Sequence, residues 1–350
     1  MIVDKYFKNP IIEPGDVKPS RKGFEVIGAF NAGVTELDGE TILILRVAER
    51  PINNDPDYIK VPFLDDDLKL KIKNISIKDP NYDFSDSRSI KRKGSSLDFE
   101  YLTSMSHLRI ARSKDGKNFK IDEKPFIFPD NKYESFGIED PRVSKIDSTY
   151  YINYSAVSKY GIVVMLSKTN DFKSVEKLGA IFTTENKDVA LFPEKINGKY
   201  YALNRPVSSS IGKPSVWISQ SSNLIEWGNH KILIEPRKEN WDCKKVGAGA
   251  PPIKTDKGWL EFYHGVDNDE KYSMGAVLLD KNDPSKVIAR TNMPIISPEK
   301  NYETKGFFGN VVFSCGIILK NDIIKMYYGV SDSSIAYAQF KLADVFNLLK

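Results

Sequence analysis

The chain has 350 residues, 41% hydrophobic and 28% charged, and its 51 basic and 47 acidic side chains leave a net charge of only +4. That is ordinary for a globular protein with a sizeable core, and the evenly mixed charge offers neither a nucleic-acid stripe nor a polybasic membrane patch. No run approaches the roughly 18–20 apolar residues of a membrane span and the start lacks a signal peptide's apolar stretch, so a cytoplasmic protein without nucleic-acid or membrane partners is expected.

In chain order, residues 1–23 read as an N-terminal extension with at most a short helical piece. Five later segments then share one shape: an apolar residue, a tight polar turn and a strand. They are ELDGETILILRV (36–47), KIDSTYYINYSA (145–156), KINGKYYALNRP (195–206), KTDKGWLEFYHG (254–265) and KNDIIKMYYGVS (320–331). Asp-Gly and Asn-Gly suit hairpin turns because both residues tolerate positive φ. A second alternating strand follows each segment, then a shorter third, as at Lys231-Ile232-Leu233-Ile234. The tract 51–97, rich in Asp, Lys, Pro and Ser, separates the first repeat from the second and reads as an inserted loop. From Lys145 onward the repeats recur at about fifty to sixty-five residues, near the blade length of a propeller. Only the tail, 339–350, carries a helical pattern, at 343–349. The expected fold is therefore all-β: a single five-bladed β-propeller over 1–350 with less than about 10% helix. A two-sheet sandwich is the alternative, since it also strings short strands together.

If the repeats are blades, polar groups fall at one end of each inner strand. The first has Asn31 and Arg46, the second Glu139-Asp140-Pro141-Arg142, and the third Lys187-Asp188 with Arg205. The fourth has Lys244-Lys245 and His264, and the fifth Phe308 and Asp332. Carboxylates and amides that hold hydroxyls, with rings to cover an apolar face, suit a carbohydrate. Cofactor chemistry is not expected. His107, His230 and His264 lack metal-ligand spacing, no Walker, GxGxxG or GxSxG pattern occurs, and Cys243 and Cys315 read as two reduced thiols.

The segments FNAGV with Arg46, GIEDPRV, KDVALFPEKINGKYYALNRP, KVGAGAPPIKT, GWLEFYHGVD, GFFGNVVF and YYGVSDS occur in this order from about 24 to 338. Together they resemble glycoside hydrolase family 130, the β-mannoside phosphorylases, and most of all its β-1,2-mannobiose and β-1,2-oligomannan branch. The resemblance implies a five-bladed propeller that uses inorganic phosphate as co-substrate and no cofactor. Asp140 would be the general acid, in some members acting through the mannosyl 3-hydroxyl. Phosphate would attack the anomeric carbon from the opposite face and give α-mannose 1-phosphate. Arg205, Lys245 and His264 match the phosphate binders. Asn31, Arg46, Glu139, Arg142, Asp188, Phe308 and Asp332 match positions around the sugar. A β-mannosidase or a mannosyltransferase of the same fold are the alternatives.

Plainer roles compete at several positions. Asp140 could cap a strand and pair with Arg142, Asp188 could serve a turn, and His264 could be a satisfied core histidine. One of Lys244 and Lys245 should be merely solvated. Trp217, Trp227, Trp241 and Trp259 read as packing residues. Linkage, acceptor and oligomeric state are not legible, although a homo-oligomer is compatible with the chain.

Overall fold

The computed structural model describes residues 3–97, 99–207 and 211–350. Among these, helix is confined to Asn301–Thr304, Leu342–Leu348 and two 3-10 turns at Pro14–Asp16 and Lys132–Glu134. Apolar residues alternate, or run unbroken over strand lengths, and rarely recur at helical spacing, so strands are the outcome.

The main strands form five successive antiparallel meanders. The first comprises β1 (Phe24–Leu37), β2 (Glu40–Pro51) and β3 (Met105–Ser113). The second runs β4 (Gly137–Ile146), β5 (Thr149–Ser158), β6 (Gly161–Thr169) and β7 (Glu176–Phe182). The third is β8 (Asn186–Leu191), β9 (Tyr200–Pro206), β10 (Val216–Ser221) and β11 (Trp227–Ile234). The fourth is β12 (Lys245–Ala248), β13 (Gly258–Val266), β14 (Tyr272–Leu279) and β15 (Val287–Arg290). The fifth is β16 (Val312–Lys320), β17 (Ile323–Val330) and β18 (Ser334–Lys341). A parallel contact, Gly137 opposite Ser106, joins the first two meanders into one sheet.

The expected turns are in place. Asp38-Gly39, Asn197-Gly198 and Asn321-Asp322 all have positive φ, the geometry a two-residue hairpin demands. Three boundaries differ from expectation. Asp4–Lys5, placed in the N-terminal extension, pairs with Gln339 and Ala338 on β18 and supplies the last meander's outer strand; Met1 and Ile2 lie outside the described residues. The expected tail at 339 begins inside β18 and only then turns helical. The tract 51–97 is not a plain loop. Tyr58–Leu64 pairs with Leu70–Ser76, and three short strands at 82–83, 89–92 and 101–102 form a second small sheet. Val61, Ile75, Tyr82 and Ile90 give it a core of its own. Its abundant Asp and Lys hid alternation that only every second position carries.

Each large core lies between consecutive meanders. Ile44, Ile110, Ile138 and Ile152 join the first to the second, and Val164, Leu166, Val189 and Leu191 the second to the third. Leu203, Ile218, Trp259 and Val277 join the third to the fourth, and Phe262, Met274, Met326 and Tyr328 the fourth to the fifth. Leu43, Leu45, Tyr327 and Ile335 then pack the fifth against the first, so the order of contacts returns to its start.

Ile152 is fully buried at the centre of the first of these cores. Ile152→Ala should cost about 2–5 kcal/mol, read as a lower midpoint with an unchanged slope in denaturant unfolding.

Candidate active site

The inner strands share a backbone defect. Asn31-Ala32 in β1 stands opposite Leu45 alone, Asp140-Pro141 in β4 opposite Tyr154, and Asp188-Val189 in β8 opposite Asn204. Each is a β-bulge whose first residue is left-handed, with φ of 48°, 50° and 53°. Asn and Asp bear that conformation better than other side-chain-bearing residues. Pro141 costs no ladder bond where the ladder is already broken. The carbonyls freed by the bulges find side chains: Arg142 Nη1 donates to Asp140 O at 3.0 Å, and Asn153 Nδ2 to Val189 O at 2.7 Å.

One cluster forms around Asp140. Its Oδ1 accepts from Asn31 Nδ2 at 2.9 Å and Arg46 Nη1 at 3.0 Å. Arg46 also donates to Glu139 Oε1 at 2.7 Å and Ser106 Oγ at 3.2 Å, and lies 4.7 Å over the Phe30 ring. Burial opposes the Arg46 charge, but Glu139, Asp140 and Asp332 outweigh it and raise the pKa further above its ordinary value. Asp332, left-handed at φ 50° just beyond β17, belongs to the same group. Burial pushes its carboxyl up to about 6, with Arg46 and Arg88 opposing and Asp140 and Glu139 assisting.

A second cluster forms around Asp188, which is 3% exposed. Arg205 Nε is 2.7 Å from its Oδ2, Arg142 Nη2 3.3 Å from its Oδ1, and His264 Nε2 3.5 Å from Oδ2. Burial pushes the Asp188 pKa up, yet Arg205, His264, Arg142 and Lys187 hold it well below the carboxylate range. Burial drives His264 down to about 3, against Asp188 and with the help of Arg205, Arg142 and Lys245, so the imidazole is neutral. Its Nδ1 is buried without a protein partner. Lys245 lies 4.8 Å over the Tyr272 ring, and burial with Arg205 and Lys187 pushes its ammonium down to about 8. Lys244 instead points outward and pairs with Glu270. The ambiguity between the two lysines is thereby resolved in favour of Lys245.

Arg142 connects the clusters from beneath. It is 1% exposed and donates to Asp140 O, Asp188 Oδ1, Ala248 O at 3.1 Å and Gly249 O at 3.0 Å. It does not pair with the Asp140 carboxylate. Ten of the eleven residues singled out in the sequence fall in or between these clusters and the eleventh, Phe308, meets Tyr272 edge-on at 6.2 Å, but two of them sit differently from expectation. Arg142 is a buried tie, with its donors turned to the protein. Asp188 stands as the counter-ion of Arg142 and Arg205, a position that neither the sugar-contact reading nor the turn reading described. Lys187 was noted beside Asp188 among the polar groups at strand ends but given no role, and Tyr272, Arg88 and Ser106 were missed. Nothing local in the sequence marks Tyr272 or Arg88, whose relation to the site depends on register. Among the described residues, no group of His, Cys, Asp and Glu could hold a metal.

A family model described as β-1,4-mannooligosaccharide phosphorylase, of glycoside hydrolase family 130, matches residues 98–350. A β-1,2-mannobiose phosphorylase from Listeria innocua is 50% identical, covering 100% of this chain and 99% of the relative. A 1,2-β-oligomannan phosphorylase from Thermoanaerobacter sp. is 42% identical over 70% of this chain and 82% of the relative. The solved complex of a Listeria innocua β-1,2-mannobiose phosphorylase with β-1,2-mannobiose superposes with a TM-score of 0.97, covering 100% of this chain and 99% of that one.

Gly247 stands opposite His264 on β13, and a methyl group there would overlap His264 Cε1 and Asp188 Oδ2. Gly247→Ala should lower turnover by about tenfold or more, since displacements on the order of 1 Å are costly at such sites. Steady-state kinetics beside an unchanged far-UV spectrum would show it.

Proposed function

Because the chain belongs to glycoside hydrolase family 130, we infer that it is an inverting β-mannoside phosphorylase. It converts a β-mannoside and inorganic phosphate, reversibly, into α-mannose 1-phosphate and a shortened acceptor. The β-1,2 linkage, in mannobiose or oligomannan, is favoured by the relatives named above. The cyclic order of the cores supports reading the five meanders as blades of one propeller, a single catalytic domain with residues 51–97 inserted in the first blade. Among the described residues no helix is long and apolar enough to cross a membrane.

The observation that carries this reading is the gathering of Lys187, Arg205 and Lys245, with neutral His264, about the single carboxylate of Asp188. An inverting hydrolase needs a second carboxylate free to activate water. Phosphate arrives already as an anion and needs a cationic cradle instead. Asp188 cannot serve as that base, because Arg142 and Arg205 occupy it. The same observation disfavours the mannosidase.

The residues divide the work accordingly. Asn31 and Arg46 both engage Asp140 Oδ1, leaving Oδ2 to carry the acidic proton. That proton passes to the glycosidic oxygen as the bond from the anomeric carbon breaks. A phosphate oxygen, held by Arg205, Lys245 and His264 Nδ1, forms the new bond from the opposite face. Glu139 and Asp332 hold sugar hydroxyls, and Phe308 covers a sugar face. Arg142 positions both sides without touching substrate.

The functional test incubates β-1,2-mannobiose with phosphate, without it, and with GDP-mannose as an alternative donor. Mannose 1-phosphate should form only in the first mixture; phosphate-independent release of free mannose at full rate would sink the proposal. Asp140→Asn should lower turnover by about 10²–10⁴-fold while leaving binding largely intact. The loss should shrink on an activated mannoside whose leaving group needs no proton.

Arg205→Ala and Lys245→Ala should each raise the phosphate constant by about tenfold to a hundredfold, the worth of a charge-assisted hydrogen bond. The mannoside constant should move much less. Lys245 is charged below about 8, so phosphate binding is full on the acid side and fades as pH rises through that value. Above it the phosphate constant should rise by about tenfold per pH unit, and Lys245→Arg should move that limb to higher pH.

A further inference from the structure

One carboxyl on β13 has no part in the reaction as described. Trp259, Glu261 and Tyr263 share a face of this strand, since alternate residues point the same way. Trp259 and Tyr263 lie in the core between the third and fourth meanders, and so does Val277, which stands opposite Glu261 on β14. The pattern asks for an apolar side chain at 261. Glu261 is instead a carboxyl with no exposed surface. Burial pushes its pKa well above the ordinary carboxylate range, against the Gly249 N–H and the charge of Arg142. It is a neutral acid within the field of the buried arginine.

The pairing of β12 with β13 ends at Ala248, opposite Tyr263, so the next amide, Gly249 N–H, lies beyond the ladder. It donates to Glu261 Oε1 at 3.0 Å. The carbonyl of that same peptide unit is Ala248 O, which accepts from Arg142 Nη2 at 3.1 Å. One peptide plane is thus gripped at both ends, by Glu261 on its N–H and by Arg142 on its carbonyl. The next carbonyl, Gly249 O, accepts from Arg142 Nε at 3.0 Å. Two of the four groups that hold Arg142 therefore belong to the residues Glu261 steadies, and the other two are Asp140 O and Asp188 Oδ1. A Cβ at 249 would overlap the Phe262 carbonyl oxygen, so this position takes glycine, and glycine lets a peptide turn over at low steric cost. A side-chain clamp on the amide opposes that freedom.

We propose that Glu261 is a positioning residue for the reaction: by clamping the 248–249 peptide it keeps two carbonyls turned to Arg142, and through Arg142 it holds the Asp140 and Asp188 sides of the site in register. The inference rests on the phosphorylase reading above. Without the carboxyl, the peptide can turn its carbonyl away, Arg142 loses Ala248 O, and the guanidinium shifts against both clusters. Glutamine at 261 keeps an oxygen for the Gly249 N–H. Leucine fills the space and keeps none.

The test measures kcat, both KM values and the unfolding midpoint with β-1,2-mannobiose and phosphate, for wild type, E261L, E261Q, R142K and E261L/R142K. E261L should lower kcat/KM for phosphate by about tenfold or more, as small displacements do at such sites. The loss should fall on kcat and on the phosphate KM, with the mannobiose KM little changed. Its midpoint should stay near that of the wild type, because leucine removes a polar group from an apolar core while leaving one amide unmet. E261Q should recover most of the activity. In the R142K background E261L should add little, since residues that act as a unit are not additive. Wild-type kinetics in E261L, an E261Q as impaired as E261L, or the same proportional loss with and without Arg142 would overturn the positioning role. A midpoint that falls in step with activity would reduce Glu261 to packing and overturn it too. A wild type that forms no mannose 1-phosphate would overturn the phosphorylase reading instead, and this inference with it.

Discussion

A β-bulge re-aims a side chain out of a strand's regular alternation, and this chain places one in the same way on the first strands of three successive meanders. Asn31, Asp140 and Asp188 each open a bulge in left-handed conformation. The conformation costs on the order of 1–2 kcal/mol for a residue bearing a side chain, and Asn and Asp bear it best. Backbone demand alone thus explains why Asx residues stand here. It does not explain why an arginine lies between two of the carboxylates, or why glycines clear space beside them. A side chain at Gly329 would collide with the Asn31 amide, and one at Gly33 with the Pro141 carbonyl. Those glycines let strands from different meanders bring their bulges together.

Arg142 converts that convergence into a fixed distance. Four of its five N–H groups reach the Asp140 carbonyl, the Asp188 carboxylate and two carbonyls of the fourth meander, all away from water. A buried cation of this kind is expensive unless its donors and charge are met. Here four donors are met by groups from three meanders, so relaxing any one of them disturbs the others. The result is a division of charge. Carboxylates dominate on the Asp140 side, tempered by Arg46 and Arg88. Cations dominate on the other side, where burial together with their mutual repulsion pushes Lys245 down to about 8 and keeps His264 neutral. On the reading proposed above, a bound dianion would offset that repulsion. On that reading, too, an acid in the first cluster and phosphate in the second would act on opposite faces, as inversion requires.

Much of this was legible in the chain. The hairpin turns, the near absence of helix and the phase of the polar residues follow from short-range rules, and those rules placed Asp140, Arg205 and His264 together. What was not legible depended on register or on long-range pairing. No local pattern says that Asp4–Lys5 will edge the last strand, or that Lys245 rather than Lys244 faces inward. Arg142 shows the limit most clearly. Its position beside Asp140 suggested a sugar contact or an ion pair, but the bulge rotates the two side chains apart and sends the guanidinium under the site. The tract 51–97 misled for a different reason: its exposed faces carry so much charge that the apolar positions between them, such as Ile75 and Ile90, read as noise.

The central claim is that acid and phosphate act on opposite faces of one anomeric carbon. Proton NMR of the first product formed from β-1,2-mannobiose and phosphate tests it most directly. The account predicts mannose 1-phosphate in the α configuration from the earliest time points, with the proportion of α unchanged as the reaction proceeds. A β-configured phosphate ester, or free mannose appearing before any ester, would contradict it.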